Sequence, residues 1–319
     1  TPVEFSAVKM TQYSDLNWKA FESVSQVLEQ FYAEKNIVTR IKQRSFDLRR
    51  IVQSALERNA KKYDIQMKQL KDTEKKEKYK IYGELIHTYG YEVEQGAKSM
   101  EALNYYTNET IMIPLDPLLS PGENAKKYFD KYQKLKRTEE AVSKLIQETG
   151  EEIEHLESIS AALDIARLEE DLIEIKEELI ESGYMKRKGG AKRTRTKSTP
   201  FHYVSSDGYD IYVGKNNFQN DELTFKTATG NDWWFHAKKI PGSHVIVKAR
   251  NEELPDRTFE EAARLAAYYS KGREQDKVEI DYLQKKNVKK PAGAKPGFVV
   301  YYTNFSMAID SDISGIQEV

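Results

Sequence analysis

Two stretches of this chain, residues 17–73 and 135–183, contain no proline, and their apolar residues return at steps of three, four or seven, with one step of eight. In the first the seam is Val24, Leu28, Phe31, Val38, Ile41, Leu48, Val52, Ala55, Tyr63, Met67 and Leu70. In the second it is Leu135, Val142, Leu145, Thr149, Ile153, Leu156, Ile159, Leu163, Ala166, Ile173 and Ile180, with Gly150 the weak point. A heptad-like repeat of this length predicts long helices that bury one narrow stripe each. At 1.5 Å per residue each would reach about 75 Å. Two matched helices separated by one insert predict a long antiparallel coiled-coil hairpin; the competing arrangement is a pair of helices in an ordinary bundle. Charged residues make up 32% of the 319-residue chain, and a long solvated hairpin accounts for that share.

The insert, 74–134, reads as a small tip domain. A helix is expected over Glu77–Val93, and a hairpin over Asn104–Pro114 with its turn at Thr107–Asn108. Ser120, Pro121 and Glu123 form a capping box that opens the next helix. Tyr128, Phe129 and Tyr132 are expected to pack on Tyr89, Tyr105 and Tyr106. Such a knob is either a self-contained mini-core or a docking surface.

Residues 1–16 read as an extended remnant of something upstream, since the chain opens on Thr1 rather than Met. Residues 184–199 form a basic linker whose Gly189 and Gly190 argue against regular structure. Its lysines and arginines, Arg193 and Arg195 among them, are either a solvated tether or a phosphate-attracting segment.

From about residue 200 the period changes to two. Short strands are expected at Phe201–Val204, Asp210–Val213, Leu223–Lys226, Asp232–Lys238, His244–Ala249, Val278–Leu283 and Phe298–Ile309. One helix is expected between them, opened by Thr258 and Glu261 and ended by Gly272. The fold class is therefore mostly α plus α+β: a coiled-coil hairpin with a tip domain, then a compact α+β domain. Strand alternation places Trp233 with Phe235 on one face and Trp234 with His236 on the other. One indole is expected in the core and the other at least partly outside, where an aromatic can stack a base. The run Lys285–Lys295 carries five lysines and no acid, the pattern of a localised nucleic-acid contact on a near-neutral body.

No catalytic constellation emerges. Of His87, His155, His202, His236 and His244, only His236 and His244 fall on adjacent strands, and two imidazoles without a third ligand make a weak metal case. The chain has no cysteine, so thiolate zinc sites and disulfides are excluded. No cofactor, metal or enzymatic activity is expected. The net charge of −1 selects no partner by itself. No stretch is apolar enough to span a membrane and no leader is visible, which suits a cytoplasmic protein.

Asp210–Asp221, with Gly214-Lys215-Asn216-Asn217 inside it, and the run from Asp232 through Trp233, Trp234 and His236 to Val245 resemble the signature of the NFACT family. That family takes in bacterial RqcH proteins and streptococcal fibronectin-binding proteins of the FbpA and PavA type. Ile113-Pro-Leu-Asp-Pro117 and Leu119–Ala125 carry the resemblance into the tip, so it spans nearly the whole chain. It implies the C-terminal half of such a protein, with residues 200–319 as the family's RNA-binding domain. The implied function is binding of the obstructed large ribosomal subunit and tRNA, in support of alanine tailing of stalled chains. The alternative the family carries is an anchorless surface adhesin that binds fibronectin or cell-wall components. The residues expected to contact RNA are Lys215, Asn216, Trp233, Trp234, His236, Lys238, Lys239, Ser243, His244, Lys285, Lys286, Lys289 and Lys290, with Arg193 and Arg195 of the linker.

Overall fold

The computed structural model describes residues 4–8, 10–13, 18–187 and 197–319. Val3 of the lead-in, Arg193 and Arg195 lie outside the described residues, as does the side chain of Val38. The chain divides into two compact units, one made of residues 1–56 with 154–319 and the other of residues 57–153.

Helix α1 (Val24–Thr73) is unbroken, as its heptads require. In the first unit its residues Leu48, Val52 and Ala55 bury against Leu156, Ile159, Ala162 and Leu163 of helix α3 (Pro121–Ile165). Arg44 pairs with Glu169 and Arg49 with Asp164, so residue numbers fall on one side as they rise on the other and the packing is antiparallel. The helix expected over 135–183 is in fact two. α3 begins at Pro121 and ends at Ile165, and helix α4 (Glu169–Glu181) follows. The break has a local cause: the Asp171 carboxylate accepts the backbone N–H groups of both Arg167 and Leu168 at 2.8 Å. Those donors have no intrahelical partner at a helix start, and the carboxylate supplies one. Leu172, Ile175 and Leu179 of α4 complete the helical core.

The second unit holds helix α2 (Lys76–Tyr89) and the hairpin of strands β1 (Ser99–Asn104) and β2 (Glu109–Pro114). The expected hairpin thus lies further upstream, with Tyr105–Asn108 as its loop and Asn108 at φ 57°. Leu85, Ile86, Met100, Ile113 and Tyr128 form its core. Tyr128 packs on Tyr79 and Tyr82, and not on Tyr105 and Tyr106, which are exposed and reach Glu84 instead. The Ser120–Glu123 capping box closes in both directions, at 2.8 and 3.3 Å.

Residues 201–319 build a seven-stranded antiparallel sheet in the order β8-β7-β5-β6-β4-β3-β9. The strands are β3 (Phe201–Val204), β4 (Asp210–Val213), β5 (Trp233–Ala237), β6 (Val245–Val247), β7 (Val278–Gln284), β8 (Phe305–Ile309) and β9 (Gln317–Glu318). Helix α6 (Asp256–Tyr268) covers one face, and its Ala262, Ala263, Ala266 and Ala267 let it approach Phe235, Val245 and Ile280 closely. Three expectations change here. Leu223–Thr227 is a π-helical turn extending helix α5 (Asn217–Glu222), not a strand. Thr258 and Glu261 do not form a capping box; they bind Asp207 and Ser206 and so fasten α6 to the β3–β4 turn. Only Phe305–Ile309 of the expected last strand is extended.

Ile175 is fully buried in the helical core. Ile175→Ala is expected to cost about 2–5 kcal/mol, read as a lower urea midpoint of the helical circular dichroism signal; an unchanged midpoint would contradict this packing.

Candidate nucleic-acid interface

Strand β5 sits between β6 and β7, so its side chains face two covered surfaces. Trp233 and Phe235 point to α6, where Trp233 meets Phe259 edge-on at 4.7 Å. Trp234 points to the opposite face, which is also closed. There it is fully buried with Leu223, Ile246, Leu283 and Val288, and Tyr301 lies 5.3 Å from its ring. The expected split between one sealed and one partly accessible indole holds, with Trp234 the sealed one, so Trp234 is corrected as an RNA contact: α5, its π turn and the 288–301 segment roof its face. Trp233 stays partly accessible at the sheet's end.

His236 stacks on Trp234 at 5.6 Å and lies 5.5 Å from His244. Burial drives the His236 pKa down to about 4. Burial, with the neighbouring His236 ring, drives His244 well below its ordinary value. His244 Nδ1 is 2.8 Å from Thr224 Oγ1, and its backbone N–H donates to Asn220 Oδ1. Ser243 is buried and donates its N–H to Tyr269 O. Ser243 and His244 thus serve the fold as neutral internal groups and do not reach an external phosphate.

Lys215 and Asn216 also turn inward. Lys215 is 5% exposed; its ammonium lies 3.4 Å from Asp171 and over the Phe201 ring. Asn216 caps α5 by accepting Gln219 N–H and donates to Glu174 at 2.6 Å. Asn217 donates to Ser158 and to Glu178 at 2.7 Å. The Gly214–Asn220 segment is therefore the polar joint between the sheet and helices α3 and α4. Gly297, at φ +79°, closes over it, and a side chain there would collide with Asn217.

The remaining cations divide by position. Lys238 and Lys239 follow β5 at one end of the sheet, with Lys238 3.6 Å from Glu279 and Lys239 exposed at φ 55°. Lys285 and Lys286 leave β7 at the opposite end. Their N–H groups donate to Asp232 O and Gly230 O, which fixes the 228–232 turn beside them. Lys289 is exposed on the roof, bridged through its backbone to Val300, and Lys290 pairs with Asp221. The structure adds two cations to the Lys285 end that no sequence window links to it. Lys248 binds Asp232 at 2.5 Å and Thr227 O at 3.1 Å, which sets exposed Lys226 alongside. Burial alone would raise the Asp232 carboxyl, but Lys248 and the N–H groups of Thr229 and Ala249 together hold it below the usual range. Among the described residues no group of His, Asp and Glu converges as a metal site requires, and no helix is long and apolar enough to cross a membrane.

Residues 1–198 match the family model for NFACT N-terminal and middle domains, and residues 199–302 match the model for the NFACT protein RNA binding domain. The chain belongs to the NFACT family. It is 44% identical over 286 residues to the Rqc2 homolog RqcH of Streptococcus suis, covering 89% of this chain and 51% of that protein. It is 40% identical over 299 residues to RqcH of Bacillus subtilis, covering 92% and 52%. The chain thus spans about half the length of the curated relatives it matches. Among solved structures it is similar to the C-terminal part of the fibronectin/fibrinogen-binding protein from Streptococcus suis, with TM-score 0.68 and 38% identity over 86% of this chain and 96% of that one.

Two outcomes are expected from this geometry. Lys215→Met strands the Asp171 carboxylate in the interior and should cost about 3–5 kcal/mol of stability with no loss of RNA affinity in the folded variant. A stable variant with weakened RNA binding would return Lys215 to the interface. The second concerns pH. An imidazole whose folded pKa lies below its unfolded value takes up its proton more readily when unfolded, so acid favours unfolding. The stability that His236 and His244 confer is complete above about pH 6.5 and is lost as pH falls toward about 4. The urea midpoint should fall between about pH 7 and pH 5, and less steeply in the His236→Gln, His244→Gln double variant; an equally steep fall would assign the sensitivity to other groups.

Proposed function

We propose that this chain is the C-terminal half of a ribosome-associated quality-control factor that acts in the cytoplasm. On this reading it binds the obstructed large ribosomal subunit and tRNA and supports alanine tailing of the stalled chain. It works as a binding scaffold and catalyses nothing itself. The observation that carries the reading is the course of the Lys285–Lys290 segment. Val288 anchors it in the core, while Lys286 and Lys289 stand exposed on either side. The match of residues 199–302 to an RNA-binding domain and the RqcH relatives support it. Arg193 and Arg195 of the linker are proposed as further phosphate contacts, and Lys238 and Lys239 as a separate, weaker set.

Lys286→Glu with Lys289→Glu leaves the Lys285 and Lys290 contacts in place. This pair should weaken binding to purified large subunits about tenfold or more and make the dependence on salt less steep, because each lost phosphate contact removes roughly 0.7–0.9 from the log–log slope. Unchanged co-sedimentation would remove this segment from the interface.

A second reading is favoured by the solved fibronectin/fibrinogen-binding neighbour: a surface adhesin that holds fibronectin or cell-wall polymers. Surface plasmon resonance on fibronectin, with large subunits in parallel, separates the two.

A further inference from the structure

The indoles that the sequence offers for stacking bases are not free to do so: Trp234 is sealed and Trp233 lies against Phe259. Two other rings stand outside. Tyr302 is 85% exposed and Phe305 61% exposed. Both are held in place. Phe305 opens β8 opposite Tyr282 and stacks on it at 5.6 Å and 29°, and Tyr282 stacks on buried Phe235 at 5.5 Å and 14°. Phe305 is thus the accessible end of a pile of three rings rooted in the core. Tyr302 is flanked by Tyr301, whose hydroxyl donates to Asp281 at 2.8 Å, and by Asn304, whose amide donates to the same carboxylate at 2.8 Å. Asp281 is itself buried. The chain on both sides of Tyr302 is pinned inward, which leaves its ring outward.

Topology joins these rings to the lysines. β7 and β8 are antiparallel, so the end at which β7 passes into Lys285 and Lys286 is the end at which Tyr302–Asn304 enters β8. The 226–232 turn and Lys248 close the same end through the Asp232 and Gly230 carbonyls and the Asp232 carboxylate. One rim of the sheet therefore carries Lys226, Lys248, Lys285, Lys286, Tyr302 and Phe305. Cations that can take phosphates beside outward aromatic planes are what an unpaired nucleic-acid strand recognises. A duplex keeps its bases stacked on each other and offers these rings nothing.

We propose that this rim binds an unpaired stretch of RNA, with Tyr302 and Phe305 stacking bases and the four lysines contacting phosphates. This rests on the RNA-binding reading above. The test is fluorescence anisotropy of the full 319-residue chain with a labelled oligouridine of about twelve nucleotides and a labelled RNA duplex of about twelve pairs. The single strand should bind more tightly. Tyr302→Ala and Phe305→Ala should each weaken it about fivefold to a hundredfold, with duplex binding unmoved. Tyr302→Phe, which keeps the ring, should bind as the parent does. Tyr302 is so exposed that its alanine variant keeps the fold, and circular dichroism checks Phe305→Ala. Single-strand binding that ignores both ring deletions, or duplex binding as tight as single-strand binding, overturns the stacking rim alone. Absence of saturable binding to either probe by the parent chain overturns the rim and the reading beneath it.

Discussion

Four carboxylates on one short helix set the terms for the sheet domain. Asp171, Glu177 and Glu178 of α4 are buried and Glu174 partly so. A carboxylate withdrawn from water is costly unless it is paired and hydrogen-bonded. Each finds partners: Lys215 and the Arg167 and Leu168 amides for Asp171, Asn216 and Gln219 for Glu174, Arg187 for Glu177, His155 and Asn217 for Glu178. Half of those partners, Lys215, Asn216, Asn217 and Gln219, come from the segment between β4 and the π turn. The polar run at Lys215–Asn220 therefore exists to meet these acids, and the position of the sheet on α3 and α4 follows from that match.

The same bargain removes the sheet's faces from any external role. α6 occupies one and the roof of α5 and residues 288–301 the other. Besides the edge strands β8 and β9, what remains accessible is the two ends, where strands turn and cations gather. That is why the basic residues, expected together to contact RNA, separate in space into a Lys238 end and a Lys285 end.

Long-period features were legible in the sequence and short-range exceptions were not. The heptads gave α1 its full course, because an uninterrupted apolar stripe leaves few alternatives. The break between α3 and α4 was hidden because Asp171 acts through two amides that precede it, an effect without a periodic signature. Leu223–Thr227 has strand-like residues but follows an Asn-capped helical turn, and context overrode propensity. For the site, the lysines of 285–290 could be seen as a run, whereas Lys226 and Lys248 join them only through β6 and the Asp232 turn. Trp234 stood among the expected RNA contacts because strand alternation shows that two faces differ, and cannot show that both are roofed. Lys215 looked like a free cation since its acid lies on a helix far away in the chain.

The shape of the Lys285 end is fixed by main-chain hydrogen bonds, from the Lys285 and Lys286 amides to the Asp232 and Gly230 carbonyls. Side chains mounted on such a frame can drift without moving the frame. Sequence change there would retune the strength or preference of attachment while the ledge itself persists, so the scaffold can outlast any particular partner.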